Sequence, residues 1–395
     1  MRAEFAARVP TLWHGHGITH RIAGRLTADR EVLTIVDSAM STAVVPGVRG
    51  RTIMIEARAV DAAAVVMIAE ELVRRPPEVI VVVGGGTILD AGKIAALVLA
   101  SGRMLDFAVE HASRSAVTFL PDGPSPVDIV AVPTTLGTSS ETNSVGILKN
   151  ASGYRLVIGR PLRPRHAIID SRNLMSLSSA AVREGALEAF LRIAGSSTSS
   201  RRSARSRGDA IALGRALIDT VARDHVAAGS RLRLARLSAA TQRTAALTGE
   251  DPYSARHWYI ANEVASVLEV RKMMATAAVV AAVWRRVCAG DARWGDRASL
   301  AEFWTGVARG FDLPLDPPAG IAALIDRWQI PVPAAPSPPM TARIAAATEE
   351  AWGDRLPMLA GLRASDFHDL VRDSSWSPQS VARPSRPPDV REEVD

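Results

Sequence analysis

The apolar positions of the chain change their period part-way along. Up to about residue 175, short continuous apolar runs alternate with stretches at helical spacing; beyond it only helical spacing remains. The densest run is residues 79–83, Val-Ile-Val-Val-Val, which reads as a parallel strand buried on both faces. Gly84, Gly85 and Gly86 follow at once, and small and apolar residues then recur at helical spacing over residues 88–99. Strand, glycine turn and helix form the unit around which the chain is organised. Before it come a short strand and turn over residues 9–19, strands at 31–36 and 51–56, and an amphipathic helix at 60–74. After it, residues 127–132 read as another buried strand, opening into the hydroxyl-rich loop 133–141, Pro-Thr-Thr-Leu-Gly-Thr-Ser-Ser-Glu. This alternation predicts an α/β domain with a parallel sheet covered by helices.

From about Ser176 the strand signals stop. Residues 180–194, 208–227, 231–247, 258–268, 273–287 and 297–310 all read as helices, so the second half is expected to be all-helical. The serine- and arginine-rich segment 196–207 is expected to be a mobile loop, residues 331–339 a proline-rich connector, and residues 374–395 a disordered tail. The division is therefore an α/β domain at 1–175, a helical domain at 176–373, and the tail.

Composition narrows the classes. A chain of 395 residues with 47% hydrophobic content can bury two ordinary cores. No uncharged apolar run reaches the roughly 18 residues of a membrane span, and the N-terminus lacks the apolar core of a signal peptide, so a cytoplasmic location is expected. A single cysteine, Cys288, excludes an internal disulfide and a cysteine-based zinc site. The net charge of +6 comes with only 5% aromatic residues, which argues against nucleic-acid binding.

The glycine turn carries the most specific chemistry. Glycines let the backbone approach a ligand, and a helix N-terminus presents free N–H groups and the positive end of its dipole, which suits a pyrophosphate. The plainer reading is a tight turn with no ligand; the turn is neither GxGxxG nor a Walker A loop. Loop 133–141 suits phosphate and ribose oxygens, or simply caps the helix that follows. His14, His16 and His20 cluster near the start, but no Asp, Glu or Cys lies close in sequence, which favours hydrogen-bonding roles over metal ligation.

Three stretches together resemble the superfamily of iron-containing alcohol dehydrogenases and dehydroquinate synthases. Residues 83–93 (VGGGTILDAGK) are similar to its GGGS-x-x-D-x-A-K, residues 132–141 (VPTTLGTSSE) to its PTT-x-GTGSE, and residues 164–177 (PRHAIIDSRNLMSL) to its P-x-x-x-x-x-D-P-x-L-x-x-x-L, with Ser171 where proline is usual. The resemblance covers roughly residues 10–290 and implies a dehydroquinate synthase-like fold, with NAD(P) between an α/β nucleotide-binding domain and a helical domain. Carried over by position, Gly84, Gly85, Gly86 and Thr87 would hold the pyrophosphate, and Thr134, Thr135 and Thr138 the adenosine and ribose side. Asp37 would take the adenine ribose hydroxyls and favour NAD over NADP, or else close a strand-end turn. Asp90 and Arg155 would lie near the cleft.

The metal site is where the sequence departs from the resemblance. Glu188 matches an acidic ligand, but Arg192 stands where alcohol dehydrogenases place a histidine. The later histidine motifs fall on residues 255–263 and 271–273, where the ligand positions become Ile260 and Arg271 or Lys272; only His257 is near. No catalytic metal is therefore expected. A side chain must then manage the hydroxyl proton, with His257, Tyr259 and Lys272 as candidates and Glu188 and Arg271 beside them. The expected activity is a metal-independent NAD-linked alcohol dehydrogenase. A sugar-phosphate cyclase is an alternative disfavoured by a total of three lysines, and a non-catalytic cofactor-binding partner subunit is another. If Arg192, Arg271 and Lys272 face the cleft, their cations suit a carboxylate, such as a hydroxy acid or a peptide's C-terminal threonine that loses carbon dioxide after oxidation, as proposed for daptide-type relatives in ribosomal-peptide biosynthesis. The plainer reading pairs these cations with Glu188, Glu263 and Glu269. The expected partners are that small-molecule or peptide substrate and a second copy or partner enzyme, without nucleic acid or membrane.

Overall fold

The computed structural model describes residues 10–40 and 50–378. The expectations for the N-terminal residues and for the tail beyond residue 378 lie outside these. The first half is built on a six-stranded sheet in the order β1 (Thr11–Gly15), β9 (His166–Asp170), β6 (Asp128–Pro133), β4 (Val79–Gly84), β2 (Val32–Asp37), β3 (Arg51–Ile55), with every neighbouring pair parallel. The central strand β4 is buried along its whole length. Ile80 and Val82 pack into the core on one face, with Leu33, Ile35 and the helices Ala62–Arg74 and Gly86–Ala95. Val79, Val81 and Val83 pack into the other, with Ile22 and Ala23 of helix Thr19–Thr27. Burial on both faces is why this strand reads as an unbroken apolar run rather than an alternation.

A second sheet, in the order β5 (Val117–Phe119), β8 (Gly153–Ile158), β7 (Val145–Asn150), escaped the sequence reading. Its hairpin strands are only partly buried, with little apolar alternation to mark them.

Beyond Asp170, no strand occurs among the described residues except an isolated bridge between Ala334 and Ser377. After the first-half helices α1 (Thr19–Thr27), α2 (Ala62–Arg74), α3 (Gly86–Ala95) and α4 (Met104–Arg114) come α5 (Ser179–Ser196), α6 (Ala204–Arg223), α7 (Ala228–Arg243), α8 (His257–Leu268), α9 (Lys272–Cys288), Arg297–Ala308, Pro317–Arg327, Pro338–Trp352 and Ala364–Arg372, the last nine making up the second half among the described residues. They close around Phe190, Trp284, Trp304 and Trp352. The last three helices were not foreseen in detail, and Pro338 begins one of them rather than ending a connector.

Two expectations need correction. Segment 196–207 is ordered rather than mobile: Ser197, Thr198, Ser199 and Arg202 are buried. Its hydroxyls close helix ends, Ser197 Oγ donating to Ile193 O at 2.8 Å and Ser203 accepting from Ser206 N at 3.1 Å, while Arg202 donates to Ser197 Oγ at 2.6 Å. Serine-rich composition here serves capping, not solvation. Residues 374–378, expected to be disordered, are also held in place. Ser375 N donates to Ala278 O at 2.9 Å and Ser377 N to Pro333 O at 3.0 Å, so residues 374–378 strap onto the helical half.

Candidate active site between the sheet and the helical half

Gly85 caps the helix Gly86–Ala95 without any side-chain hydrogen bond, leaving the first N–H groups of that helix for a ligand. Gly85 is half-buried and Thr87 exposed. Loop 133–141 leaves the neighbouring strand end, where Pro133 pairs with Gly84 and Thr134 N donates to Gly84 O at 3.0 Å. Thr138 packs so closely on the turn that a Cβ on Gly86 would lie 2.7 Å from its Cγ2, and Thr135 lies beside Gly85. On the other side, Val36 pairs with Val83, which sets Asp37 level with Gly84. Asp37 Oδ1 accepts from Ala39 N at 3.1 Å, the strand-end turn of the plainer reading, and this bond uses one of its two oxygens.

Asp90 lies one turn past the glycines and is fully used. It pairs with Lys93 at 3.0 Å, accepts from Ser140 Oγ at 2.5 Å and accepts from Ile147 N at 3.0 Å. Lys93, buried to 1% exposure, also donates to Ser140 O and Asn143 Oδ1, both at 3.1 Å. These two residues brace the loop against the helix; Asp90 contributes its charge to the cleft but no free oxygen. Arg155 is likewise occupied, donating to Ser152 O at 2.6 Å on its own hairpin and facing Glu263.

From the helical side, α5 carries Glu184, Glu188 and Arg192 at intervals of four, on one face. Arg192 does not reach out for a ligand. Its guanidinium donates to Thr241 Oγ1 at 2.8 Å, Thr138 O at 3.0 Å, Ser139 Oγ at 3.2 Å and Gly137 O. Arg271 is mostly exposed and pairs with Glu184 at 2.8 Å. The expected carboxylate clamp is therefore not formed: two of its three cations are committed, Arg271 to Glu184 rather than to Glu188, Glu263 or Glu269, while Glu188 acts electrostatically on Arg192 and Lys272. Glu263 instead accepts from Trp352 Nε1 at 2.8 Å.

Lys272 opens α9, directly after the tight turn at Glu269, with φ +53°. Its Nζ lies 5.2 Å from the centre of the Trp258 ring and has no hydrogen bond or ion pair among the described residues. Burial pulls the Lys272 ammonium below its ordinary range, Glu188 and Asp90 push it back up, and Arg192 lowers it. Burial raises the Glu188 carboxyl, against the opposing pull of Arg192 and Lys272. His257 is 1% exposed, with its ring 4.8 Å from that of Trp258, and burial together with Lys272 brings it down to about 3. It is a neutral imidazole whose buried Nε2 has no partner. Tyr259, packed 5.0 Å from Trp352, is pushed up by burial and is a poor base. Glu141 went unnoticed in the sequence. It is buried beside Arg192 and Lys93, and desolvation brings it up to about 7.

The structure thus gathers Gly84, Gly85, Gly86, Thr135 and Thr138 at the turn, and Glu188, Lys272 and His257 across from it, with Asp90 between. It leaves Arg155 and Arg271 aside. The profile of the iron-containing alcohol dehydrogenase family matches residues 17–171, which end with the last strand of the large sheet. The α/β half is therefore similar to that family. The whole chain shares the family's fold. NADH-dependent butanol dehydrogenase A from Thermotoga maritima superposes with a TM-score of 0.76 at 17% identity, covering 93% of this chain and 97% of that one. An archaeal Red Sea brine-pool alcohol dehydrogenase gives 0.73 at 14%, covering 92% and 96%. Phosphonoacetaldehyde reductase from Streptomyces viridochromogenes is 32% identical over 166 residues, which are 41% of this chain and 42% of that protein. The match thus spans less than half of that relative.

The family's dinucleotide fits the uncapped glycine turn. Its divalent metal does not fit the residues present. Glu188 is one carboxylate, Arg192 is a cation bound into a loop, and Lys272 is a second cation. Among the described residues, no three His, Cys, Asp or Glu side chains gather to hold a metal ion, the early histidines included. His16, for one, is bonded to Ser171 Oγ at 2.9 Å. Among the described residues no helix is long and apolar enough to cross a membrane.

Proposed function

We propose that the protein is an NAD(P)-dependent oxidoreductase interconverting an alcohol and its carbonyl compound, with Lys272 rather than a metal handling the hydroxyl proton. The observation that carries this reading is an unpaired, largely desolvated lysine placed with Glu188 and Asp90 across from an uncapped glycine turn. Bound with its pyrophosphate on residues 84–87, a nicotinamide dinucleotide supplies the hydride acceptor or donor. Thr135 and Thr138 line the turn, and Asp37, through its remaining oxygen, takes ribose hydroxyls and favours NAD.

In oxidation, neutral Lys272 Nζ accepts the substrate hydroxyl proton as the carbinol C–H leaves as hydride. In reduction, the Lys272 ammonium returns that proton to the carbonyl oxygen. Desolvation makes the neutral form accessible, and Glu188 keeps the ammonium form accessible too, as a proton carrier requires. His257 cannot carry the proton, being neutral throughout the working range. With both arginines engaged, a carboxylate fork has no support from the site, and neither has the peptide-decarboxylation reading built on it. The phosphonoacetaldehyde reductase similarity favours carbonyl reduction of a small anionic aldehyde as the first direction to assay.

The experiment is a panel of alcohols and aldehydes with NAD(H) and NADP(H), run on wild type and Lys272→Ala. The variant should lose roughly 10²–10⁴-fold in turnover with cofactor affinity intact. Oxidation by wild type should rise with pH through the lowered Lys272 titration, and reduction should fall. Equal turnover by Lys272→Ala would remove the lysine from the mechanism.

A further inference from the structure

Arg192 stands at the position where the sequence places a metal-ligand histidine in relatives, yet its hydrogen bonds run to the cofactor loop. Two consecutive carbonyls, Gly137 O and Thr138 O, accept from its Nη2, and Ser139 Oγ and Thr241 Oγ1 accept from Nη1 at 3.2 and 2.8 Å. A second clamp comes from α7, where Ser238 Oγ donates to Gly137 O at 3.1 Å and lies 2.7 Å from Ser139 Oγ. The clamped segment is one the chain would not hold unaided. Gly137 has φ +113° and Ser139 φ +53°, both in the left-handed region, and Ser139 is not a glycine. A Cβ on Gly137 would lie 2.7 Å from Glu188 Oε2 and 2.8 Å from Gly185 Cα, so the loop also sits directly on α5. Between its two clamped neighbours, Thr138 turns its side chain onto Gly86.

We propose that Arg192 is a positioning residue for the cofactor. Its guanidinium fastens residues 137–139 of the α/β half to helices α5 and α7, and so holds Thr138 against the pyrophosphate turn. The inference rests on reading the glycine turn as the dinucleotide site. A planar fork with several donors suits this task, because it can serve two carbonyls and two hydroxyls at once. A lysine brings the charge without the fork.

Calorimetric titration with NAD+ and NADH tests it on wild type, Arg192→Lys, Arg192→Ala and Ser238→Ala. Both Arg192 variants should bind 10- to 100-fold more weakly, Lys included, and Ser238→Ala about 3- to 10-fold more weakly. Methylguanidinium added to Arg192→Ala should restore most of the affinity, which a variant that is merely less stable would not show. At saturating cofactor, turnover should change less than affinity. If Arg192→Ala fails to fold, Arg192→Lys and Ser238→Ala carry the test. Wild-type affinity in Arg192→Lys and Ser238→Ala would overturn the brace alone. Wild type binding neither nucleotide would overturn the cofactor reading and the brace with it.

Discussion

In the α/β half, the residues shared with the family's motifs stay together at one end of the sheet. Gly84 ends the central strand and Gly85 and Gly86 open the helix after it, Thr134, Thr135 and Thr138 lie in the loop that leaves the neighbouring strand, and the family profile covers this half up to residue 171. The helical half shares the fold as well, since the TM-score of 0.76 is taken over 93% of the chain, but it carries arginine and lysine where the resembled motifs have histidines. Glu188 remains, while Arg192 and Lys272 stand at or beside the metal-ligand positions. On the proposed function, the comparison teaches that dinucleotide binding and proton chemistry are separable. Dinucleotide binding depends on backbone shape at one turn, which small residues preserve. Chemistry at the hydroxyl depends on a few side chains, which can be exchanged while tryptophans and phenylalanines keep the helices packed.

Variants on the two sides should therefore fail differently. Gly85→Val should have the largest effect. Its Cβ would lie a tight 3.2 Å from Thr135 Cγ2, so Thr135 must give by a few tenths of an ångström, and the side chain projects where the pyrophosphate must approach. Calorimetry should show at least a 100-fold loss of dinucleotide affinity, and unchanged affinity would contradict the assignment.

At the seam between the halves, Glu141 titrates at about 7 in the folded protein against 4.5 ordinarily. A carboxyl raised on folding contributes stability that is full below its unfolded value, declines as pH rises to about 7, and is constant above. Glu141→Gln should remove that decline and gain roughly 1–3 kcal/mol over wild type between pH 5 and pH 8. Parallel melting-temperature curves for the two proteins would show that Glu141 ionises without cost.

The smallest effect is expected on the helical side from Arg271→Ala. Its side chain is 59% exposed and engaged with Glu184, so turnover of acidic and neutral substrates should stay within about threefold of wild type. A selective loss for acids would restore Arg271 to substrate binding.

What the sequence made legible follows the same division. The strand at Val79–Gly84 and the glycine turn were readable because burial on both faces and close backbone approach each demand particular residue types in succession. The helices from Ser179–Ser196 to Arg297–Ala308 were readable from period alone. The small sheet β5-β8-β7 was not, since its half-exposed strands carry weak alternation. Segment 196–207 misled because serines that cap helices have the composition of serines that solvate a loop. Asp90 and Arg155 could be placed near the cleft by the resemblance, but which oxygen or guanidinium is already engaged is a property of tertiary contacts. Ser238 and Thr241 carry no local signal for their part in holding Arg192. The replacement of histidine by Arg192 was visible, and its hydrogen bonds to loop 137–139 were not.

The central claim is that the helical half does its proton chemistry with Lys272 and without a metal. The most direct measurement is turnover with nicotinamide cofactor, alongside elemental analysis of the same sample, before and after exhaustive chelation. The account predicts less than about 0.1 metal per chain and unchanged turnover after chelation. About one zinc or iron per chain, lost together with activity and restored with it, would contradict the account and make Glu188 and His257 the first ligands to test.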